Sequence, residues 1–408
     1  MELVVFEDIG YRNLLPLTYA RAAFELRCGV DTLLEKIEAV MKARAQRLVV
    51  RPELAECIAE RHGPGRNVNE GEFWINGRLL LKHTPELTCP SACWIGDTLA
   101  AAYLPSQATA GLTADVMLDP QRTAAAVARA PAVPFREEWG ELIAYPWDLI
   151  AKNAAELTHQ IAAMPPCQDG TVHPGAHLLN PGAIRIESGA RIKPTAVLDA
   201  EDGPIHVGAD AVISPNVTLR GPCSIGAGTL VQAGASIREG TSIGPICKVG
   251  GEVEGTIFQG YSNKQHDGFV GHSYVGEWVN LGADTVTSDL KNTYGTVSVP
   301  INGNAIDSGL QFVGSIIGDH SKTGICTALT TGCVIGFCCN VVVPRPPQFV
   351  PSFTWLTEAG AAPYDLDRAV ALARKVMLRR KQALTPAAER LFRHAAETAR
   401  LHERVAMA

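Results

Sequence analysis

Two histidines, His266 and His272, sit six residues apart in the glycine-rich stretch HDGFVGHSYVGEWVNLGADTVTSDLKN (266–292). An imidazole titrates near 6.5 as a free side chain, so a histidine can take a proton from an attacking nucleophile near pH 7. Asn280 follows, and a primary amide can hold an acceptor through its donor and acceptor ends together. Backbone N–H groups in tight turns can meet a developing oxyanion. These residue types suit base-assisted group transfer. A lone histidine in such a turn is more often a hydrogen-bonded structural residue; two beside an amide weaken that reading. A zinc site would need a third histidine, and His320 is the downstream candidate, at no matching spacing. The 11 cysteines include no CxxC pair and read as free thiols, with Cys89 and Cys93 lacking a second pair for zinc.

These residues must be held by something, and the sequence around them repeats. From Val207 an aliphatic residue recurs every six positions: Val207, Ile213, Leu219, Ile225, Val231, Ile237, Ile243 and Val249. An earlier run gives Ile186, Ile192 and Leu198, and a later one Phe269, Val275 and Leu281. The repeat resumes near Ile317, Leu329, Ile335 and Val341. A period of six is neither helical nor simple alternation. It predicts a hexapeptide β-helix: each hexad is a short strand and a turn, three hexads close a triangular coil, and the aliphatic side chains stack inside. Such prisms are left-handed, against the usual crossover rule. At a spacing of about 4.8 Å, roughly seven coils make a prism about 30–35 Å long. Residues 288–312 lack the repeat and predict a loop leaving the prism.

The ends read differently. LVVF (3–6) and RLVVR (47–51) predict buried strands, and the segment from Asp31 predicts a helix capped by that residue, apolar at 33, 34, 37 and 40. A further helix is expected over about 147–164. The alternation predicts an α/β domain over 1–165. A Pro/Gly linker (165–175) leads into the prism at 176–345, and 346–408 reads as a Pro-rich linker with C-terminal helices. The first places Leu366, Val370, Ala373 and Met377 on one face; the second starts at Thr385-Pro386 and runs to about Val405. Arg374, Lys375, Arg379, Arg380 and Lys381 form a basic cluster, read as a solvated face with phosphate contact as the minority reading.

The stretch 266–292, together with LLPLTYARAAFELRCG (14–29), resembles the family of bifunctional glucosamine-1-phosphate acetyltransferase/N-acetylglucosamine-1-phosphate uridylyltransferases, and more closely a sugar-nucleotidyltransferase branch that carries a left-handed β-helix. The resemblance covers nearly the whole chain. It implies an α/β nucleotidyltransferase-like domain, a left-handed parallel β-helix and a short α-helical C-terminus. It implies N-acetyl transfer from acetyl-CoA to an amino-sugar phosphate or nucleotide sugar, in a homotrimer. The family's catalytic His precedes an Asn by 14 positions in an Asn-aliphatic-Gly-Ala string; here Asn280-Leu281-Gly282-Ala283 points back to His266. By local wording Gly271-His272 matches instead, and the spacing favours His266. The resemblance puts Asp289 and Lys291 on the acceptor, and Ala283 and Lys322 on CoA. Phe269, Asp289 and Glu254 depart from the family's Tyr, Asn and Lys, which leaves the acceptor unnamed. At the amino end Gly10 remains of a phosphate-binding Gly loop, Arg12, Arg21 and Arg27 stand as substrate cations, and Asp8 as a ligand for Mg²⁺. Asn13 and Ala23 replace the family's catalytic Arg and Lys. The alternatives are nucleotidyl transfer from an NTP to a sugar 1-phosphate with Mg²⁺, and a trimeric non-catalytic protein that binds nucleotide sugars.

Composition narrows the partners. The formal net charge is -6, which disfavours non-specific nucleic-acid binding. MELVVFEDIG has no basic n-region, so no signal peptide is expected. No apolar run approaches the roughly 18 residues of a membrane span. The expectation is a cytoplasmic enzyme of small-molecule substrates.

Overall fold

The computed structural model describes residues 2–65 and 71–403. The chain opens with an α/β domain. A six-stranded mixed sheet runs in the order Ala45–Val49, Glu2–Phe6, Glu72–Asn76, Thr98–Leu104, Ser91–Ile95, Ala132–Pro134. Glu2–Phe6 pairs in parallel with both neighbours and is buried along its whole length, as expected for a strand covered on both faces. The helix Leu33–Met41 is capped by Thr32, one residue past the expected Asp31. Thr32 and Glu35 form a reciprocal capping box, and the Asp31 carboxylate instead accepts a hydrogen bond from Gln160. The helix Pro146–Ala163 closes the domain and lies along the next one.

The second domain is the left-handed β-helix. Its three parallel faces are sheets of short strands, the longest holding nine strands among the described residues. It is therefore longer than the seven coils expected, about 40 Å at the usual strand spacing. The extra rungs lie in segments that read as linkers. Thr171–Val172 pairs with Arg191–Ile192 at the start, and Phe349–Val350 and Thr354–Thr357 continue two faces at the end. Every hexad aliphatic from Val207 to Val249 is at most 2% exposed, and they stack in one continuous core. In the later run the inward residue is Val270, not Phe269, because the coils around residue 253 are shorter than three full hexads. Lys264 takes one inward position and donates to the Gly250 and His266 carbonyls. Burial without a carboxylate partner pulls its pKa down to about 8.

The segment 288–312 does leave the prism. It forms the hairpin Ser298–Ile301 and Asn304–Asp307, whose Val297, Val299 and Ile301 pack with Trp147 and Ile150. The two domains thus share a core. The C-terminal helices, Leu366–Leu378 and Pro386–His402, wrap back over both, and Phe392 sits among Phe337, Phe353 and Tyr19. The second helix ends at His402; Val405, to which it was expected to run, lies outside the described residues. Among the described residues no helix is long and apolar enough to cross a membrane.

Candidate active site

A corner of the prism carries His272, between the strands Phe269–Gly271 and Tyr274–Glu277. The turn holds it in the left-handed region, φ 43°. One coil on, 17 residues later, Asp289 stacks above it, and His272 Nδ1 and Asp289 Oδ2 are 2.8 Å apart. An ionised carboxylate only accepts, so Nδ1 carries the proton and the Nε2 lone pair is left for chemistry. Gly255 lies against that edge of the ring: a methyl group there would come within 3.0 Å of Nε2. The missing side chain opens a cavity of about 350 Å³, roofed by Phe312 from the excursion loop and walled by Ile150 and Ala154. The Phe312 ring lies 5.3 Å from the imidazole. Glu254, on the same cavity, is held by Arg238 at 2.6 Å.

His266 is placed differently. It is exposed on a turn at another corner, and its carbonyl, not its ring, receives the Lys264 ammonium. Its ring has no hydrogen bond or ion pair among the described residues. Asn280 is exposed, with Asn263 Nδ2 3.4 Å from its Oδ1. The four-residue strand Tyr274–Glu277, roughly 13 Å long, separates His272 from the Trp278–Asn280 end. The three residues offered as one catalytic group therefore occupy three places. Ala283 lies on the His266 edge, its carbonyl accepting from Cys326 N. Lys291 donates to the Thr296 carbonyl inside the excursion loop. Lys322 donates to the His320 carbonyl and lines a separate cavity beside Asn280.

The amino-terminal candidates are committed elsewhere. Arg78 grips both Asp8 oxygens, at 2.7 and 2.6 Å, and Asn76 adds a third contact. Gly10, where phosphates would approach, faces that guanidinium: a methyl group would lie 2.2 Å from its central carbon. Asp8 caps a short helix at the same time. These residues do not fit a magnesium ion, since the one carboxylate is already neutralised, and the described residues hold no cluster of three metal-ligating side chains. Arg21 is buried and points into the prism, pairing with Asp319 at 2.7 Å and Glu277 at 3.0 Å. Arg27 binds the Val30 carbonyl with its guanidinium, while its backbone N–H lies on Gln259 and Tyr274 of the prism. Arg12 is exposed, and its carbonyl accepts from Asn302. Arg21 and Arg27 thus join the domains instead of facing a nucleotide.

Sequence reasoning missed Arg78, Phe312 and the partnership of His272 with Asp289. The last had a usable signal, because residues one coil apart stack. Arg78 had none.

Residues 3–165 match the family described as sugar nucleotidyl transferase. The chain is 30% identical over 201 residues, 48% of its length and 42% of the other, to the bifunctional protein GlmU of Methanococcus aeolicus. It is 34% identical over 176 residues to GlmU of Desulfitobacterium hafniense, covering 37% of this chain and 38% of that one. Over 92 residues, 22% of this chain and 23% of the other, it is 37% identical to a bifunctional sugar-1-phosphate nucleotidylyltransferase/acetyltransferase of Sulfurisphaera tokodaii. The chain spans less than half the length of these curated relatives. Among solved structures, a UDP-N-acetylglucosamine acyltransferase from Campylobacter jejuni overlaps 55% of this chain and 95% of its own, at 12% identity and a TM-score of 0.22.

Proposed function

We propose that this chain is a transferase that moves an acetyl group from acetyl-CoA to the amine of an amino-sugar phosphate or nucleotide sugar, with His272 as the base. The amine nitrogen attacks the thioester carbonyl and His272 Nε2 takes its proton. The tetrahedral adduct collapses, the C–S bond breaks, and the imidazolium returns the proton to the CoA thiolate. Asp289 fixes the ring and its tautomer and steadies the imidazolium. Backbone N–H groups of neighbouring turns serve the oxyanion. The observation that carries this reading is the 2.8 Å His272–Asp289 pair facing a cavity kept open by Gly255. The GlmU-like relatives support the substrate class.

Thiol release from acetyl-CoA, with glucosamine 1-phosphate and a panel of amino sugars and their nucleotides, tests it. His272→Gln should lower turnover about 10²–10⁴-fold. Turnover lost in His266→Ala but kept in His272→Gln would overturn the assignment and restore His266 with Asn280. The family match of residues 3–165 favours a second reading, nucleotidyl transfer at the amino end. The Arg78–Asp8 pair across Gly10 weighs against it. Pyrophosphate release from an NTP and a sugar 1-phosphate would establish that reading. We place the protein in the cytoplasm as a homotrimer. Exposed Val286, Ile325 and Val342 support self-association, which sedimentation equilibrium reads directly.

A further inference from the structure

The basic cluster of the first C-terminal helix ends at a cavity. Where that helix crosses the prism, Arg379 and Arg380 face Lys248 and Lys322 across a space of about 280 Å³. Among the described residues no carboxylate lines it. Arg380 binds the Asn263 amide oxygen at 2.6 Å and Lys322 a backbone carbonyl, so neither is neutralised. Lys248 and Arg379 have no ion pair among the described residues. The nearby acid Glu277 is held by Arg21. Four cations gathered without a counter-charge, in a protein of formal net charge -6, repel one another and oppose folding. Burial lowers the pKa of Lys322 and of Arg380, the second helped by Arg379, as expected for cations that lack anions.

The remaining walls are selective. Asn263 and Asn280 offer amide donors and acceptors. Tyr261 and Trp278 stack on each other at 4.4 Å and present a flat aromatic surface. This cavity lies at the far end of the Tyr274–Glu277 strand from His272, and its cations come from the prism and the helix together.

We propose that this cavity is a binding site for the phosphate or diphosphate group of a small metabolite, with Lys248, Lys322, Arg379 and Arg380 neutralising its charge. A diphosphate brings the missing anions, accepts charge-assisted hydrogen bonds from the guanidinium groups, and fastens the C-terminal helix to the prism. The site stands independently of acetyl transfer at His272. A nucleotide, a sugar phosphate and CoA all carry this chemistry.

Isothermal titration of the full chain with inorganic pyrophosphate, UDP, glucosamine 1-phosphate and CoA, at low and at high salt, tests the assignment. At least one of them should bind the wild type, more weakly at high salt. Lys322→Met, Arg379→Met and Lys248→Met should each weaken binding about tenfold or more. The unliganded variants should melt at the wild-type temperature or above it, because a repelled charge is gone, and added pyrophosphate should raise the melting temperature of the wild type more than theirs. Lys248 is half-exposed, so its variant tests the site with the least risk to the fold. Tighter binding of UDP, glucosamine 1-phosphate or CoA than of pyrophosphate identifies the source of the phosphate. Binding should survive His272→Gln, which separates this site from the transfer reaction. No binding at millimolar concentration, or affinities unchanged in all three variants, would overturn the proposal.

Discussion

Arg21 gives the sharpest test of how the two domains are joined. Its guanidinium and the Asp319 carboxylate form a two-pronged pair at 2.8 and 2.7 Å, with side chains 4% and 3% exposed. Glu277 adds a third charge at 3.0 Å and the Leu17 carbonyl a fourth contact. Arg21→Met keeps much of the bulk and removes the charge. Asp319 is then a buried anion whose remaining side-chain contact among the described residues is the Glu277 N–H, at 2.9 Å. Breaking one side of a buried pair costs about 3–5 kcal/mol, and most of that is the stranded partner. Arg21→Met should therefore lose about 4 kcal/mol, read as a lower denaturant midpoint in guanidinium. Arg21→Met/Asp319→Asn removes the stranded charge and should recover at least about 2 kcal/mol of the loss. A loss below about 1 kcal/mol in the single variant, or no recovery in the double one, would refute the reasoning. A nucleotide affinity that falls in Arg21→Met with the midpoint unchanged would make Arg21 a substrate cation instead.

Three further outcomes follow from local geometry. Gly255→Ala places a methyl group against His272 Nε2, at φ 54°, and should cut acetyl transfer at least about tenfold while leaving the chain folded; full activity would show that this edge of the ring is not the base. Burial would raise the pKa of Glu25, but Arg61 and His62 outweigh it and hold the carboxyl at about 2, against 4.5 unperturbed. The folded state thus keeps the carboxylate ionised, and up to about 3 kcal/mol of stability, complete above pH 4.5, is lost as pH falls toward 2. Glu25→Gln should flatten the midpoint-against-pH curve in that window. Thr32→Ala removes the capping hydroxyl from the helix Leu33–Met41 and should cost about 1 kcal/mol, measured by denaturant unfolding.

The period of six was enough to determine the prism, because a hexad aliphatic can be buried on every strand only if the chain closes into stacked coils. Ile213, Leu219 and Ile225 are fully buried as that argument requires. Three hexads make 18 residues, whereas the coil from His272 to Asp289 is 17, as it is between Asn263 and Asn280, so the period alone falls one residue from naming that pair. Spacing to Asn280 points to His266, but a fixed interval along the chain does not say which corner has a cavity. That was decided by what packs outside the prism: the helix Pro146–Ala163 and the loop that brings Phe312 over His272. The amino-terminal cations were legible as charges but not as partners. Arg21 meets Asp319 across 298 residues, and Arg78 meets Asp8 across 70. A repeat fixes neighbours one coil away through local geometry. Contacts between domains depend on which surfaces meet, and only the tertiary structure decided that.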